Sequence, residues 1–306
     1  MADEEKGTAK KRSSRLGMVG KGCGGLLVVA LVGIGGLIGA ASFSWSSRLD
    51  TTYEVAEHEF EIPELTDDNR GEAERLYLGR GCGDCHGEDG AGRILADAPP
   101  FMLAPPNITG VMRALGPAEL HALIRRGVRP DGTPAFFMPA HEYARMPDRE
   151  LGLITAHVRS LPQSDATQPP SEMRTLGKVL ELVGALDSHF LPAEVVADQA
   201  FDPAGEDDMG EYLAMSCTGC HGDGLSGGPI PGAPPEIGTP ANITPTGIGD
   251  WDLEQFSTAM RTGRTPDRQL DGEQMPYRVY QHLNDAEMAA LFAYLQTVEP
   301  REFGNR

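Results

Sequence analysis

An internal repeat constrains this chain more than any other feature. GCGDCHG holds Cys82, Cys85 and His86, and SCTGCHG holds Cys217, Cys220 and His221, 135 residues later. Between Cys82 and Thr109, 12 of 28 positions are identical at that offset, among them Pro99–Pro100 with Pro234–Pro235 and Asn107-Ile108-Thr109 with Asn242-Ile243-Thr244. Arg125 then matches Arg261 at 136, and Met138–Pro139 matches Met275–Pro276 at 137. The one-residue steps fall in Gly/Pro-rich loops, where insertions are tolerated. A unit of roughly 100 residues has been duplicated, and the fold must be built twice.

C-x-x-C-H is the attachment signal for c-type haem. Its two thiols form thioethers with the porphyrin, and the adjoining histidine is held under the iron. Zinc would need four closed ligands, and each repeat has two cysteines. A thioredoxin-like C-x-x-C would need a βαβ setting, which the pattern lacks. Cys82, Cys85, Cys217 and Cys220 are therefore expected to carry two covalent haem c groups, with His86 and His221 as iron ligands. A thioether on the sixth position stabilises reduced iron. Met138 and Met275, each followed by proline 52 and 54 residues after its histidine, are the expected axial ligands. Met146 also precedes proline but aligns with Leu283, and reads as core filler.

The long loops suggest support for the histidines. The paired prolines could position a carbonyl that accepts the imidazole proton, or simply punctuate the loop. Arg125 and Arg261 could pair with haem propionates or lie exposed at helix ends. Asn107 and Asn242 match a glycosylation sequon, but their recurrence at one loop position favours a structural role. Trp251 has no tryptophan counterpart in the first repeat and could pack on the second haem.

From Gly24 to Phe43 run 20 uncharged residues, enough for a helix of about 30 Å. Six basic residues precede the run, so residues 1–22 are expected in the cytoplasm and the repeats on the far side. A cleaved signal peptide is the alternative, although its apolar stretch is usually only about 7–15 residues. Gly35 and Gly39 form a weak G-x-x-x-G helix-pairing signal, and Cys23 reads as an ordinary thiol at the membrane edge. Beyond this segment the chain holds 20 basic and 42 acidic residues. That balance excludes nucleic-acid binding and suits basic partners.

Within each copy the periodicity predicts helix, cysteine loop, long loop, helix, methionine loop, helix. The helices are expected at 71–81, 117–127 and 148–160, then 206–216, 251–262 and 285–297, with almost no strand. Leu176, Val179, Leu180, Val183 and Leu186 recur at helical spacing between the copies. They predict a helix packed between two domains, with docking on a membrane or partner as the alternative.

The second copy adds A-P-P, then Asn242-Ile243-Thr244-Pro245 with Gly247-Ile248-Gly249 and Trp251, then R-x-G and M-P-Y-x-x-Y-x-x-L-x-D-x-E-x-x-A-L-x-A-Y-L. Together these resemble the class I cytochrome c fold. More narrowly, they are similar to dihaem cytochrome subunits of bacterial alcohol or aldehyde dehydrogenases. The first copy lacks the G-I-G-x-W element. The resemblance implies an all-α chain of two tandem class I domains behind one transmembrane helix. Its expected layout is a tail at 1–22, an anchor at 23–45, a linker at 46–66 and domains at 67–165 and 205–300. A linker with an amphipathic helix at 166–204 and a tail at 301–306 complete it. The expected function is electron transfer without bond chemistry, at the bacterial inner membrane with the haems outside. The partner would be a membrane-bound respiratory or dehydrogenase complex. A dihaem peroxidase-like enzyme with one open haem is the rival; a haem-based gas sensor would need an output domain.

Overall fold

The computed structural model describes residues 14–186, 197, 199–231, 233 and 237–306, with side chains from residue 28 onward. Residues 1–13 of the basic tail, and Pro234–Pro235, lie outside the described residues. The chain is mostly helical. Its first element, α1 (Ser14–Leu49), contains Val28–Leu49, a stretch long and apolar enough to cross a membrane. Val28, Val29, Leu31, Val32 and Ile34 project from it more than half exposed. In water that would be costly, whereas a lipid-facing helix shows this pattern.

The first repeat contains α2 (Arg70–Gly79), α3 (Cys82–His86), α4 (Val111–Ala114) and α5 (Pro117–Leu120), which runs into a π turn at His121–Arg125. It ends with α6 (Ala140–Tyr143) and α7 (Asp148–Ser160). After α8 (Thr175–Leu182), the second repeat contains α9 (Met209–His221), α10 (Pro245–Ile248), α11 (Leu253–Thr262), α12 (Tyr277–Tyr280) and α13 (Asp285–Leu295). Capping chemistry sets the later starts. The Asp252 side chain accepts from Gln255 N–H at 2.8 Å, and Asn284 accepts from Glu287 N–H at 2.9 Å. In each box the N3 side chain accepts from the cap residue's N–H in return.

The cysteine segments, expected as loops, are helical. In the second repeat α9 runs unbroken through the motif. In the first, Gly81 at φ 75° separates α2 from α3, where the second has Ser216. Glycine adopts that left-handed backbone at no steric cost.

One small sheet accompanies the helices, in keeping with an expectation of almost no strand. β1 (Ala96–Ala98) pairs antiparallel with β2 (Phe101–Leu103), and β3 (Glu172–Met173) adds to β2. Pro99–Pro100 form the connection between β1 and β2. Three-residue strands are too short to show alternation in sequence.

First and last helices pack together in each repeat, α2 on α7 and α9 on α13. Leu76, Tyr77, Leu151 and Val158 of the first repeat share one apolar core with Tyr212, Leu213, Met288 and Leu291 of the second. Segment 46–66 is strapped to the first repeat: Phe60 joins that core, and His58 Nε2 lies 3.0 Å from Asp148. The interdomain position expected for α8 is not what is found. It packs against the lower end of α1, where Trp45, Met173 and Leu186 form a separate cluster and Arg48 pairs with Glu181. The helix was legible from its period, but periodicity does not say which surface receives the apolar face.

Candidate functional site

Both motif histidines sit in the same backbone setting. His86 Nδ1 donates to the Pro106 carbonyl at 2.9 Å, and His221 Nδ1 donates to the Ala241 carbonyl at 2.7 Å. Each acceptor lies 20 residues after its histidine, so the paired prolines are not the carbonyl donors. In the first repeat they turn a hairpin instead. The hydrogen bond fixes the tautomer and leaves Nε2 with its lone pair free, as an iron ligand requires. Burial pushes both imidazoles below the ordinary histidine pKa, which keeps them neutral.

The loop returns beneath the ring because two glycines allow it. Gly92 N–H donates to His86 O at 2.8 Å, and Gly227 N–H donates to His221 O at 2.9 Å. Their φ angles are 78° and 69°. A Cβ on Gly92 would meet Pro105 O at 2.5 Å, and one on Gly227 would meet Ala241 O at 2.3 Å. Gly92→Ala and Gly227→Ala are therefore expected to cost at least roughly 1–3 kcal/mol from the backbone conformation alone. They should also pull the acceptor carbonyl away from its histidine. Thermal unfolding of the two variants checks this, and unchanged melting in both would refute the account.

Asn107 and Asn242 brace the same loops identically. Asn107 Oδ1 accepts from Thr109 N–H and Oγ1–H at 3.0 and 2.7 Å, and Asn242 Oδ1 accepts from Thr244 at 2.9 and 2.8 Å. Their amides donate onward to Ser164 O and Arg301 O, tying the loop to the chain beyond the last helix. The terminal segment 301–306 continues that strap: Arg306 donates to Cys220 O at 2.9 Å and Gly228 O at 3.0 Å.

Cys82, Cys85, Cys217 and Cys220 are free thiols. Spacing of i and i+3 on a helical turn puts each pair on one face, as two thioether bonds to one flat ring require. Burial pushes Cys82 and Cys217 up to about 12 and Cys85 up to about 11. Among the described residues no three His, Cys, Asp or Glu side chains form a metal-binding group, so the zinc arrangement is not assembled. The donor set fits haem attachment.

The methionine loops share a turn. Ala140 N–H donates to Met138 O at 2.8 Å, and Tyr277 N–H donates to Met275 O at 2.7 Å. Pro139 (φ −79°, ψ 64°) and Pro276 (φ −76°, ψ 58°) sit at the centre of these inverse γ-turns. Proline presets that φ, which explains its place after each methionine. Five residues beyond each methionine a tyrosine ties the loop to the cysteine segment. Tyr143 donates to Arg80 O at 3.1 Å, and Tyr280 Oη lies 3.3 Å from Ser216 Oγ. Tyr280 stands in the M-P-Y-x-x-Y motif, but its tie to the cysteine segment and its counterpart Tyr143, at the methionines' offset of 137, were not read from the sequence. One difference remains: Phe137, next to Met138, has φ 66°, a strain absent at Gln274.

Arg125 and Arg261 have partners other than propionates. Arg125 is fully buried and pairs with Asp148 at 2.9 Å, while Arg261 pairs with Asp285 at 2.5 Å. The two pairs are repeat equivalents at the N-termini of α7 and α13. Trp251 packs partly buried against the shared core.

Comparison with known proteins agrees with this geometry. Residues 210–299 match the family model "Cytochrome c", and residues 69–158 match "Cytochrome C oxidase, cbb3-type, subunit III". The chain is 39% identical over 98 residues to the fructose dehydrogenase cytochrome subunit of Gluconobacter japonicus, covering 29% of this chain and 20% of that protein. It is 40% identical over 113 residues to the gluconate 2-dehydrogenase cytochrome c subunit of Pantoea cypripedii, covering 33% and 25%. A "Diheme cytochrome c-type" protein of Cereibacter sphaeroides is 30% identical over 146 residues, covering 42% and 49%. The chain thus spans less than half the length of each of these relatives. Cytochrome c domains hold covalent haem c and transfer electrons, and this chain carries such domains and is similar to the cytochrome c subunits of bacterial dehydrogenases.

Proposed function

We propose that this chain binds two haem c groups, each with His/Met ligation, and passes electrons between a dehydrogenase or respiratory complex and its acceptor. Two tandem class I domains, at 67–165 and 205–300, would lie outside the cytoplasmic membrane, held by an uncleaved α1. The observation that carries this reading is the duplicated setting of His86 and His221. A chance C-x-x-C-H would have no reason to place a carbonyl 20 residues away on the same ring nitrogen twice.

When bound, the haem iron supplies a one-electron redox couple. Everything else is done by the chain. Cys82 and Cys85, then Cys217 and Cys220, anchor the ring by thioethers. His86 and His221 present Nε2, held by the carbonyls of Pro106 and Ala241. Met138 and Met275 would supply the second iron ligand of each haem, and such ligation would leave no open position for substrate. The apolar core shared by the two repeats would hold the two centres in one fixed arrangement. The strongly acidic repeats would steer a basic partner toward them.

The test is a haem count and a spectrum. The detergent-purified chain is expected to retain two haems after acid–solvent extraction, with low-spin iron by electron paramagnetic resonance. One haem per chain would overturn the two-centre reading. High-spin iron in the resting protein would favour the open-site, peroxidase-like alternative.

A further inference from the structure

The two Met loops differ in what they send across to the other repeat. Four residues beyond Met138 stands Glu142; four beyond Met275 stands Val279. Each reaches the opposite cysteine motif. A Cβ on Gly219, between Cys217 and Cys220, would lie 3.8 Å from Glu142 Oε1. A Cβ on Gly81, just before Cys82, would lie 3.9 Å from Val279 Cγ1. Pseudo-equivalent positions thus present an acid to the second motif and an alkyl group to the first.

Glu142 is partly buried, and no ion pair or hydrogen bond engages its carboxyl among the described residues. On its own helix it faces Tyr143. Across from it are Cys85 of α3, with Asp84 and Arg93 beyond, and Tyr280 of α12. From α9 it faces Cys217 and Cys220, the latter also reached by Arg306. Among the described residues Arg93 acts on Cys85 and Arg306 on Cys220, and neither acts on Glu142. Desolvation with no cation to offset it pushes the carboxyl up to about 8, so it can change protonation in the physiological range.

We propose that Glu142 is a proton-binding site coupled to reduction of the second haem. One electron from the partner's donor centre lowers the net charge of that haem by one. The Glu142 carboxylate then takes one proton from water, becomes a neutral carboxyl, and returns the proton when the electron leaves. No covalent bond other than O–H forms or breaks, and charge at the site is conserved through the cycle. The coupling is expected mainly on the second haem, because Glu142 acts on both cysteines of the second motif and only on Cys85 of the first, where Val279 adds no titratable group. It rests on the two-haem reading, whose failure would appear separately as a haem count below two before any titration.

Spectroelectrochemical titration of the full chain in detergent tests this. The wave assigned to the second haem, by its response to Met275→Ala, is expected to fall with pH between the carboxyl's pKa in the oxidised and reduced forms. The limiting slope is about 59 mV per tenfold change in proton activity for a one-electron couple. Glu142→Gln should abolish that dependence and raise the wave, because a negative charge favouring oxidised iron is gone. Reduction-induced infrared difference spectra should show a protonated carboxyl band that is absent in Glu142→Gln and shifted in Glu142→Asp. An unaltered pH slope in Glu142→Gln would overturn the proposal. Should that variant fail to load haem, absence of the carboxyl band in the unmodified protein would overturn it equally.

Discussion

Met275→Ala is expected to lower the reduction potential of the second haem by on the order of 0.1 V or more, a modest part of the roughly 0.8 V that axial ligands span. Met138→Ala should do the same to the first haem. A thioether is a soft ligand that favours reduced iron, and its loss leaves water or a vacant position that does not. Each variant should convert one haem to high spin and leave the other wave nearly in place. Met146→Ala is the informative contrast. Met146 is fully buried in the shared core, as is its repeat counterpart Leu283. Its truncation should cost about 2–5 kcal/mol of stability without moving either potential. Redox titration of the three variants separates ligand from filler. Unchanged potentials in Met138→Ala and Met275→Ala would sink the ligand assignments.

Arg80→Ala is expected to destabilise the protein by about 3–5 kcal/mol, the usual consequence of removing one member of a buried ion pair. Arg80 lies almost wholly buried where the repeats meet. It donates to Glu150 at 2.8 and 2.6 Å within its own repeat and to Glu287 at 2.6 Å in the other. Arg75 also reaches Glu287, at 2.6 Å, and Tyr212 donates to Glu150 at 3.1 Å. Glu150 and Glu287 are repeat equivalents, so one arginine bridges the same position of both copies. Deleting it strands Glu150, which keeps only the Tyr212 hydroxyl, and leaves Glu287 to Arg75 alone. Replacing all three, as Arg80→Met with Glu150→Gln and Glu287→Gln, should be far milder, because no unpaired charge remains. Denaturant melts of the single and triple variants decide this, and equal losses in the two would refute it.

The same network sets an acid limit. Burial works to raise the Glu287 pKa, but Arg80 and Arg75 more than offset it, and the carboxyl is held below the ordinary glutamate range. A depressed folded-state pKa means the stabilisation is present above the unfolded value. It is lost as pH falls through the lower folded one.

The repeat, the haem-binding signature and the paired methionines were all legible because they are local chemistry at fixed spacing. A C-x-x-C-H works within one helical turn, and Met-Pro within one γ-turn. Helix α7 was found at its expected bounds, since its apolar period and its flanking prolines agree. The acceptors for His86 and His221 were not legible, and of the two roles open to the paired prolines the hairpin at Pro99–Pro100 is loop punctuation. A carbonyl is carried by every residue, so composition does not mark which one faces the ring. That choice followed from Gly92 and Gly227, whose lack of Cβ lets the loop close. Tyr143 could have been found by extending the offset of 137 past the methionines.

What sequence alone decided was the content of each unit: its C-x-x-C-H motif, its helices and its repeat. What only the tertiary structure decided was how the units meet. α8 went to the foot of α1 rather than between the repeats, Arg80 became a bridge, and Glu142 crossed to the other motif. These are contacts between residues far apart in the chain, chosen by shape, burial and charge balance in three dimensions. No local pattern records them, because each side chain's partner is supplied by a surface that exists only after folding.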